Sequence, residues 1–282
     1  MNFQDNLASF KNKLRKNKII YYLYQVFFDF YYYHKPSRQL GLKYYGDPLN
    51  LKNIWEAEEL EIIQKFLPTA DAVINIGANI GYYVCFFASK GIKTIAVEPI
   101  QRNLKFLYKN LVANKLSEVE VFPIALSNRI GLQKMYGKAG LASLVKGWYG
   151  QPENQFHYVP VNTMDNLLHN RFEGKKLLII IDIEGNEYQL LQKAEHYINL
   201  NPKPVWLIEV AMFPQIGEQV KENKDIFATF TLFFQSGYSA WWIFKGLKEV
   251  TNENLPNILR NNRLKTGNFL FLNKTEEKIL FS

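Results

Sequence analysis

Apolar positions along this chain fall into short unbroken runs separated by longer amphipathic stretches. Ala72–Ile76, Lys93–Val97, Val119–Pro123, Leu177–Gly185 and Pro204–Val210 are such runs, most of them rich in β-branched residues. Runs of this length predict parallel strands buried on both faces, with the one from Leu177 the most apolar and therefore central. Between and around them, Trp55–Leu67, Tyr82–Lys90, Gln101–Lys115, Asn186–Glu195 and Asp225–Ser236 predict helices. Gln101–Lys115 shows the pattern clearly, with Leu104, Leu107, Tyr108 and Leu111 on one stripe. Glu56, Glu58, Glu59 and Glu61 crowd the early turns of the first of these helices, as the macrodipole prefers, and Pro68 ends it. Tyr238–Phe244 and Asn268–Leu272 predict the last strands. Strands alternating with helices imply an α/β fold: a mostly parallel central sheet with helices on both faces.

The first strand runs into a tight turn, Gly77-Ala-Asn-Ile-Gly81, that opens the next helix. This arrangement brings bare backbone N–H groups up to a ligand. Gly77 is expected to let the chain turn sharply, and Gly81 to allow a close approach at the helix start. A dinucleotide fingerprint needs glycines where this chain has Asn79 and Tyr82, and a phosphate loop needs a Gly-Lys-Ser/Thr that is absent. The looser G-x-x-x-G spacing fits enzymes using S-adenosylmethionine (SAM), with another Rossmann-like nucleotide binder as the alternative. Glu98 follows the second strand about 20 residues past the turn, placed to accept hydrogen bonds from a ribose diol. Ala125-Leu126-Ser127 follows the third strand, near where an adenine would lie.

Residues 1–18 carry five cations, Lys11, Lys13, Arg15, Lys16 and Lys18, against Asp5. Residues 19–33 are almost wholly apolar or aromatic. That block is too short and too rich in Tyr for a membrane span. Two readings suit it: peripheral contact with a membrane interface, or packing on the catalytic domain or on a second subunit of a homo-oligomer. The expected organisation is therefore an accessory segment, 1–50, and a single domain, 51–282. Residues 131–161 are Gly-rich and irregular, with strand-like pieces at Gln133–Tyr136 and His157–Val161, and long connections at strand ends usually carry function. The apolar content of 48% predicts a substantial core. The single Cys85, expected in the core of the first helix after the Gly-turn, excludes a disulfide framework and a Cys-based zinc site. With no signal-peptide pattern, it suits a reducing, cytoplasmic compartment.

Taken in order, Ile76-Gly-Ala-Asn-Ile-Gly-Tyr82, Val97-Glu-Pro99, Ala125-Leu-Ser127, Asn162-Thr-Met-Asp165 and Ile181-Asp-Ile-Glu-Gly-Asn-Glu187 resemble the FkbM-type SAM-dependent methyltransferases. The resemblance spans roughly Trp55 to Leu272. It implies a Rossmann-like class I methyltransferase fold with about seven strands, the last antiparallel, and SAM across the carboxyl ends of the strands. It implies cofactor contacts at Asn75, Gly77, Ala78, Asn79, Gly81, Tyr82, Glu98, Ala125, Leu126 and Asp182. Family members typically methylate hydroxyl groups of sugars or natural products. The family usually has Asp where this chain has Asn75 and Lys where it has Ile180. The resemblance thus implies a lost carboxylate near the SAM amine and a lost cation beside the active-site acids.

A sugar hydroxyl needs a general base or a divalent cation to become nucleophilic at neutral pH. Asp182 and Glu184 sit two apart at the tip of the central strand, so their carboxylates are expected to converge on one base or one metal. The alternative is that Asp182 orients SAM and Glu184 caps the following helix. His157, in the long insertion, is a further candidate base. Three function classes follow: an O-methyltransferase acting on a small molecule or glycan, which is favoured; an RNA methyltransferase; and a non-catalytic partner protein of the same fold. The net charge of +8 is the only feature that suggests RNA. The cations are spread rather than striped apart from the N-terminus, and no Asn/Asp-Pro-Pro-Tyr motif occurs, so a nucleic-acid partner is not expected.

Overall fold

A computed structural model describes residues 18–46, 57–212, 215–216, 219–220, 223–261 and 266–281. The expected helical positions Trp55 and Glu56, and the boundary placed at residue 50, lie outside the described residues. The chain divides into two compact units, residues 1–53 and 54–282. The first carries helix α1 (Lys18–His34) and the antiparallel hairpin β1 (Ser37–Gln39) and β2 (Leu42–Tyr44). Its two-residue turn, Leu40-Gly41, has positive φ at both positions, as primed hairpin turns require.

The second unit opens with α2 (Ala57–Gln64). The elements β3 (Ala72–Ile76), α3 (Tyr82–Ser89), β4 (Lys93–Val97), α4 (Gln101–Ala113) and β5 (Glu120–Phe122) then alternate. The chain next builds a separate small sheet from β6 (Ala125–Leu126), β7 (Gly131–Tyr136) and β8 (Phe156–Asn162). Alternation resumes with α5 (Met164–Leu168), β9 (Leu177–Ile181), α6 (Glu187–Leu191), α7 (Glu195–Ile198) and β10 (Val205–Ala211). A two-stranded ribbon, β11 (Gln215–Ile216) and β12 (Gln219–Val220), precedes α8 (Ile226–Gln235) and β13 (Ser239–Ile243). Finally come β14 (Leu247–Val250), α9 (Leu255–Asn261), β15 (Thr266–Leu272) and α10 (Lys274–Leu280).

The main sheet has eight strands in the order β14-β13-β15-β10-β9-β3-β4-β5. Strands β5, β4, β3, β9 and β10 run parallel to their neighbours, and β15 enters antiparallel between β10 and β13. The extra strand relative to expectation is β14, an edge strand paired antiparallel to β13. Its Lys248 and Glu249 are exposed, so it lacks the apolar run that marks the inner strands.

Strand periodicity assigns the two faces. Ile74, Ile76, Ile179, Ile181, Trp206 and Ile208 point to one layer, where Phe230 and Phe233 of α8 and Leu190 of α6 cover them. Val73, Leu178, Ile180, Leu207 and Leu270 point to the other, under Leu60 and Ile63 of α2 and Phe86 and Phe87 of α3. All five residues of β3 and all five of β9 are buried, as central parallel strands require. Phe233 stacks on Phe271 with ring centroids 4.0 Å apart, and a pair of this kind contributes about 0.5–1.5 kcal/mol beyond its buried area. Strands are added outward from β3 through β4 to β5 on one side and from β9 to β10 on the other, so the carboxyl ends of β3 and β9 open a crevice at the switch point of the sheet. Gly77 and Asp182 lie at those ends.

Candidate functional site

The Gly-turn is braced from three strands. The N–H groups of Gly77 and Ala78 both donate to the Val97 carbonyl of β4, at 2.9 and 3.0 Å. Asp182 N–H donates to the Ile76 carbonyl at 3.0 Å. Gly77 has φ +84°, and a Cβ there would fall 1.7 Å from the Asp182 carbonyl oxygen, so only glycine fits. Gly81 has φ +86° and precedes α3. The close approach it allows is to Leu107 of α4, whose Cδ1 would lie 2.3 Å from a Cβ. Gly81 therefore serves helix packing.

Glu98, just past the end of β4, is buried against this turn. One carboxylate oxygen accepts from Asn79 N–H at 2.8 Å. The other accepts from Ile100 N–H at 2.8 Å and from Asn103 Nδ2 at 3.2 Å. Burial raises its pKa to about 7, against the lowering effect of those three donors. Oε2 carries a single protein donor, which leaves a lone pair for a ligand hydroxyl. Asn103 is 2% exposed, lines the same cleft, and its Oδ1 has no hydrogen-bond partner among the described residues. A buried acceptor left open at a cleft wall calls for a donor from a ligand.

The third part of the site is Asp182-Ile-Glu-Gly185. Glu184 adopts φ +57° and Gly185 φ +95°. Two loop side chains from the β7–β8 connection hold this strained turn. Ser143 Oγ donates to the Glu184 carbonyl at 2.6 Å, and Trp148 Nε1 donates to Glu184 Oε2 at 2.8 Å. Trp148 is 2% exposed, and its ring lies where a Cβ on Gly185 would come within 2.3 Å. Burial pushes the Glu184 carboxyl up to about 7; the Trp148 bond opposes this, and the charge of Glu209 on β10 adds to it. Glu187 is held up at about 8 for the same main reason, with Gly185 N–H on its Oε1 at 2.7 Å. Glu184 does not cap α6: the residue at that helix start is Asn186, whose Nδ2 instead reaches the Leu126 carbonyl at 3.2 Å.

These elements line a cleft open to solvent, with about 560 Å³ of space between its walls. Gly77, Asn79, Glu98, Ala125, Leu126, Asp182 and Glu184 line it, as do the apolar Ile100, Met135 and Leu144. Asn75, Ala78, Gly81 and Tyr82 are not part of its wall. Asn75 is buried within β3, paired in register with Ala96 and Ile180. His157 is exposed on β8 opposite Met135, and only Met135 reaches the cleft wall. The sheet thus brings together the Gly-turn, Glu98 and the two acids, and it leaves His157 outside.

The expected metal pair, Asp182 and Glu184, gains no third ligand among the described residues. Among the described residues no group of three or more His, Cys, Asp or Glu could hold a metal ion, and one Glu184 oxygen is engaged by Trp148. Asn103, Ser143 and Trp148 were not legible as site residues. The available signals were an Asn inside the apolar stripe of α4 and a Trp-Tyr pair between glycines, Gly147-Trp-Tyr-Gly150.

SAM fits these residues. The cleft offers an apolar slot at Ile100, Ala125, Leu126 and Met135, a carboxylate and an open amide oxygen at Glu98 and Asn103, and acids at Asp182 and Glu184. Fold and cleft together define a class I SAM-dependent methyltransferase. The FkbM methyltransferase domain matches residues 75–239, more than half of the chain, and the chain belongs to that family. No curated protein matches it. Similar solved structures include precorrin-6y C5,15-methyltransferase from Geobacter metallireducens, at 9% identity, TM-score 0.41, covering 77% of this chain and 86% of that one. The ribosomal protein L11 methylase from Lactobacillus delbrueckii subsp. bulgaricus is 8% identical, TM-score 0.44, covering 84% and 83%. M. jannaschii TYW2 in complex with AdoMet is 14% identical, TM-score 0.41, with the same coverage of 84% and 83%.

Proposed function

We propose that this protein transfers the methyl group of SAM to a hydroxyl of a sugar, glycan or natural-product acceptor, with Glu184 as general base. One observation carries the reading. Glu184 lines the cofactor cleft, is fixed by Trp148 at 2.8 Å, and has a pKa raised to about 7. A base poised near the working pH combines a usable fraction of carboxylate with useful basicity. When bound, SAM supplies an electrophilic methyl on a sulfonium. The chain's own residues do the rest. Glu98 and Asn103 hold the ribose end, and the apolar slot takes the adenine. Asp182 presents negative charge to the cationic cofactor. Glu184 Oε2 is occupied by Trp148, so Oε1 would receive the hydroxyl proton as the acceptor oxygen takes the methyl group and the sulfonium's carbon–sulfur bond breaks, its electron pair leaving with sulfur as a neutral thioether.

The test is methyl transfer from SAM to a panel of glycosides and hydroxylated natural products, with the product linkage read by NMR. A methyl ether is the expected product. Methylation confined to nitrogen or carbon, or to RNA, would overturn the acceptor assignment.

A further inference from the structure

Helix α1 exposes an apolar stripe. Leu23, Phe27 and Phe30 are 60%, 64% and 65% exposed, and Ile20, Val26 and Tyr31 are exposed beside them. At 100° per residue these six positions cover an arc of about 140°, the width of a face built to be covered. Asp29, Tyr32 and Tyr33, on the rest of the wheel, are only half-exposed. An exposed apolar stripe of this extent marks an interaction surface.

Charge identifies what covers it. Residues 1–46 hold eight Lys and Arg against two acids, Asp5 and Asp29, so six of the chain's net +8 reside there. Five of those cations, Lys11 to Lys18, precede or begin the helix in sequence, the first four outside the described residues. Nine of the seventeen residues of α1 are Tyr or Phe, the residues that settle at the membrane–water boundary. The helix is about 25 Å long, short of a hydrocarbon core of about 30 Å. No helix among the described residues is long and apolar enough to cross a membrane. A second copy of the chain would bring a segment of the same net charge, +6, which disfavours self-pairing. We propose that α1 docks on an anionic lipid surface. It lies in the interface plane, with Leu23, Phe27 and Phe30 toward the acyl chains and the cationic segment among the headgroups.

Vesicle co-sedimentation of the full chain tests this, with phosphatidylcholine alone and with roughly one lipid in three replaced by phosphatidylglycerol. The protein should bind the anionic vesicles, release as salt rises, and ignore the neutral ones. F27E/F30E should weaken partitioning about tenfold or more. K11Q/K13Q/R15Q/K16Q should weaken it about 100-fold or more. SAM affinity, read by calorimetry, should be unchanged in both variants and shows that the catalytic unit is intact. If F27E/F30E loses SAM binding, the charge variant carries the test. Three results would overturn the proposal: no binding to anionic vesicles at any lipid concentration, binding indifferent to both variants, or a lipid-free dimer that F27E/F30E dissociates.

Discussion

Trp148 and Glu184, 36 residues apart in the chain, meet in a 2.8 Å bond from the indole N–H to the carboxylate. The bond favours the ionised form of Glu184 against the cost of its burial. The indole is seated on Gly185, so Trp148→Phe keeps most of the packing and removes only the donor. Glu209 on β10, Glu187 on α6, Tyr149 on the loop and Asp182 at the tip of β9 are the other titratable groups around this carboxylate. The first three interact electrostatically with it or with each other. We expect Trp148→Phe to raise the Glu184 pKa, so that the acid limb of kcat/KM moves up by about one pH unit. A profile that does not move would remove the indole from any role in tuning the base.

The second prediction concerns Asn75 and Ile180, which are direct register partners on β3 and β9. The two positions that depart from the family's usual Asp and Lys are therefore one site, buried in the sheet and away from the cleft wall. This changes the expected consequence. Asn75→Asp buries a carboxylate beside an isoleucine, and should cost about 3 kcal/mol of stability without tightening SAM. Adding Ile180→Lys should recover much of that loss. Urea denaturation of the single and double variants measures it. A fully stable Asn75→Asp that binds SAM more tightly would return Asn75 to the cofactor site.

How much of this was legible in the sequence depends on the range of the cause. β3 and β9 announced themselves because a strand buried on both faces must be apolar throughout. Gly77 was legible because a strand turning directly into a helix needs positive φ. Gly81 was legible as a glycine, yet its neighbour, Leu107, belongs to another element. Asn75 was legible as a polar residue in an apolar strand, yet its partner Ile180 on β9 lies more than a hundred positions away and no local pattern pairs them. The Trp148 contact depends on how the β7–β8 loop folds back over Gly185, which no local pattern encodes. The predicted helix 186–195 is shorter, α6 over Glu187–Leu191, and α7 starts only at Glu195, a break that apolar spacing alone does not mark.

Asn103 provides the third prediction. Its open Oδ1 is expected to accept from the cofactor, and its Nδ2 holds Glu98. Asn103→Leu should weaken SAM binding by about tenfold with little change in kcat. Glu98→Ala should weaken binding about 10- to 100-fold and also destabilise the Gly-turn, whose Asn79 N–H loses its acceptor. Calorimetry reads the affinities, and unchanged binding in Asn103→Leu would show that the amide faces only protein.

Three buried carboxyls predict the pH dependence of stability. Glu98 and Glu184 sit at about 7 and Glu187 at about 8, all raised above the ordinary carboxylate value. Between about pH 4.5 and 8 the folded protein therefore holds more protons than the unfolded chain, and stability falls as pH rises through that window. The SAM-free protein should be more stable at pH 6 than at pH 8, and Glu187→Gln should flatten the slope. Thermal unfolding across that range checks it. Stability that rises toward pH 8 would mean these carboxyls are ionised at little cost.

The central claim is that Glu184 removes the acceptor proton, and Glu184→Gln tests it most directly. The amide keeps the size of the side chain and an acceptor for Trp148, and it cannot take a proton. Turnover at saturating SAM and acceptor should fall about 100-fold or more, the range for loss of a general base, while the SAM dissociation constant stays within about twofold. Turnover at the wild-type rate, or a loss of SAM affinity that matches the loss of rate, would contradict the assignment.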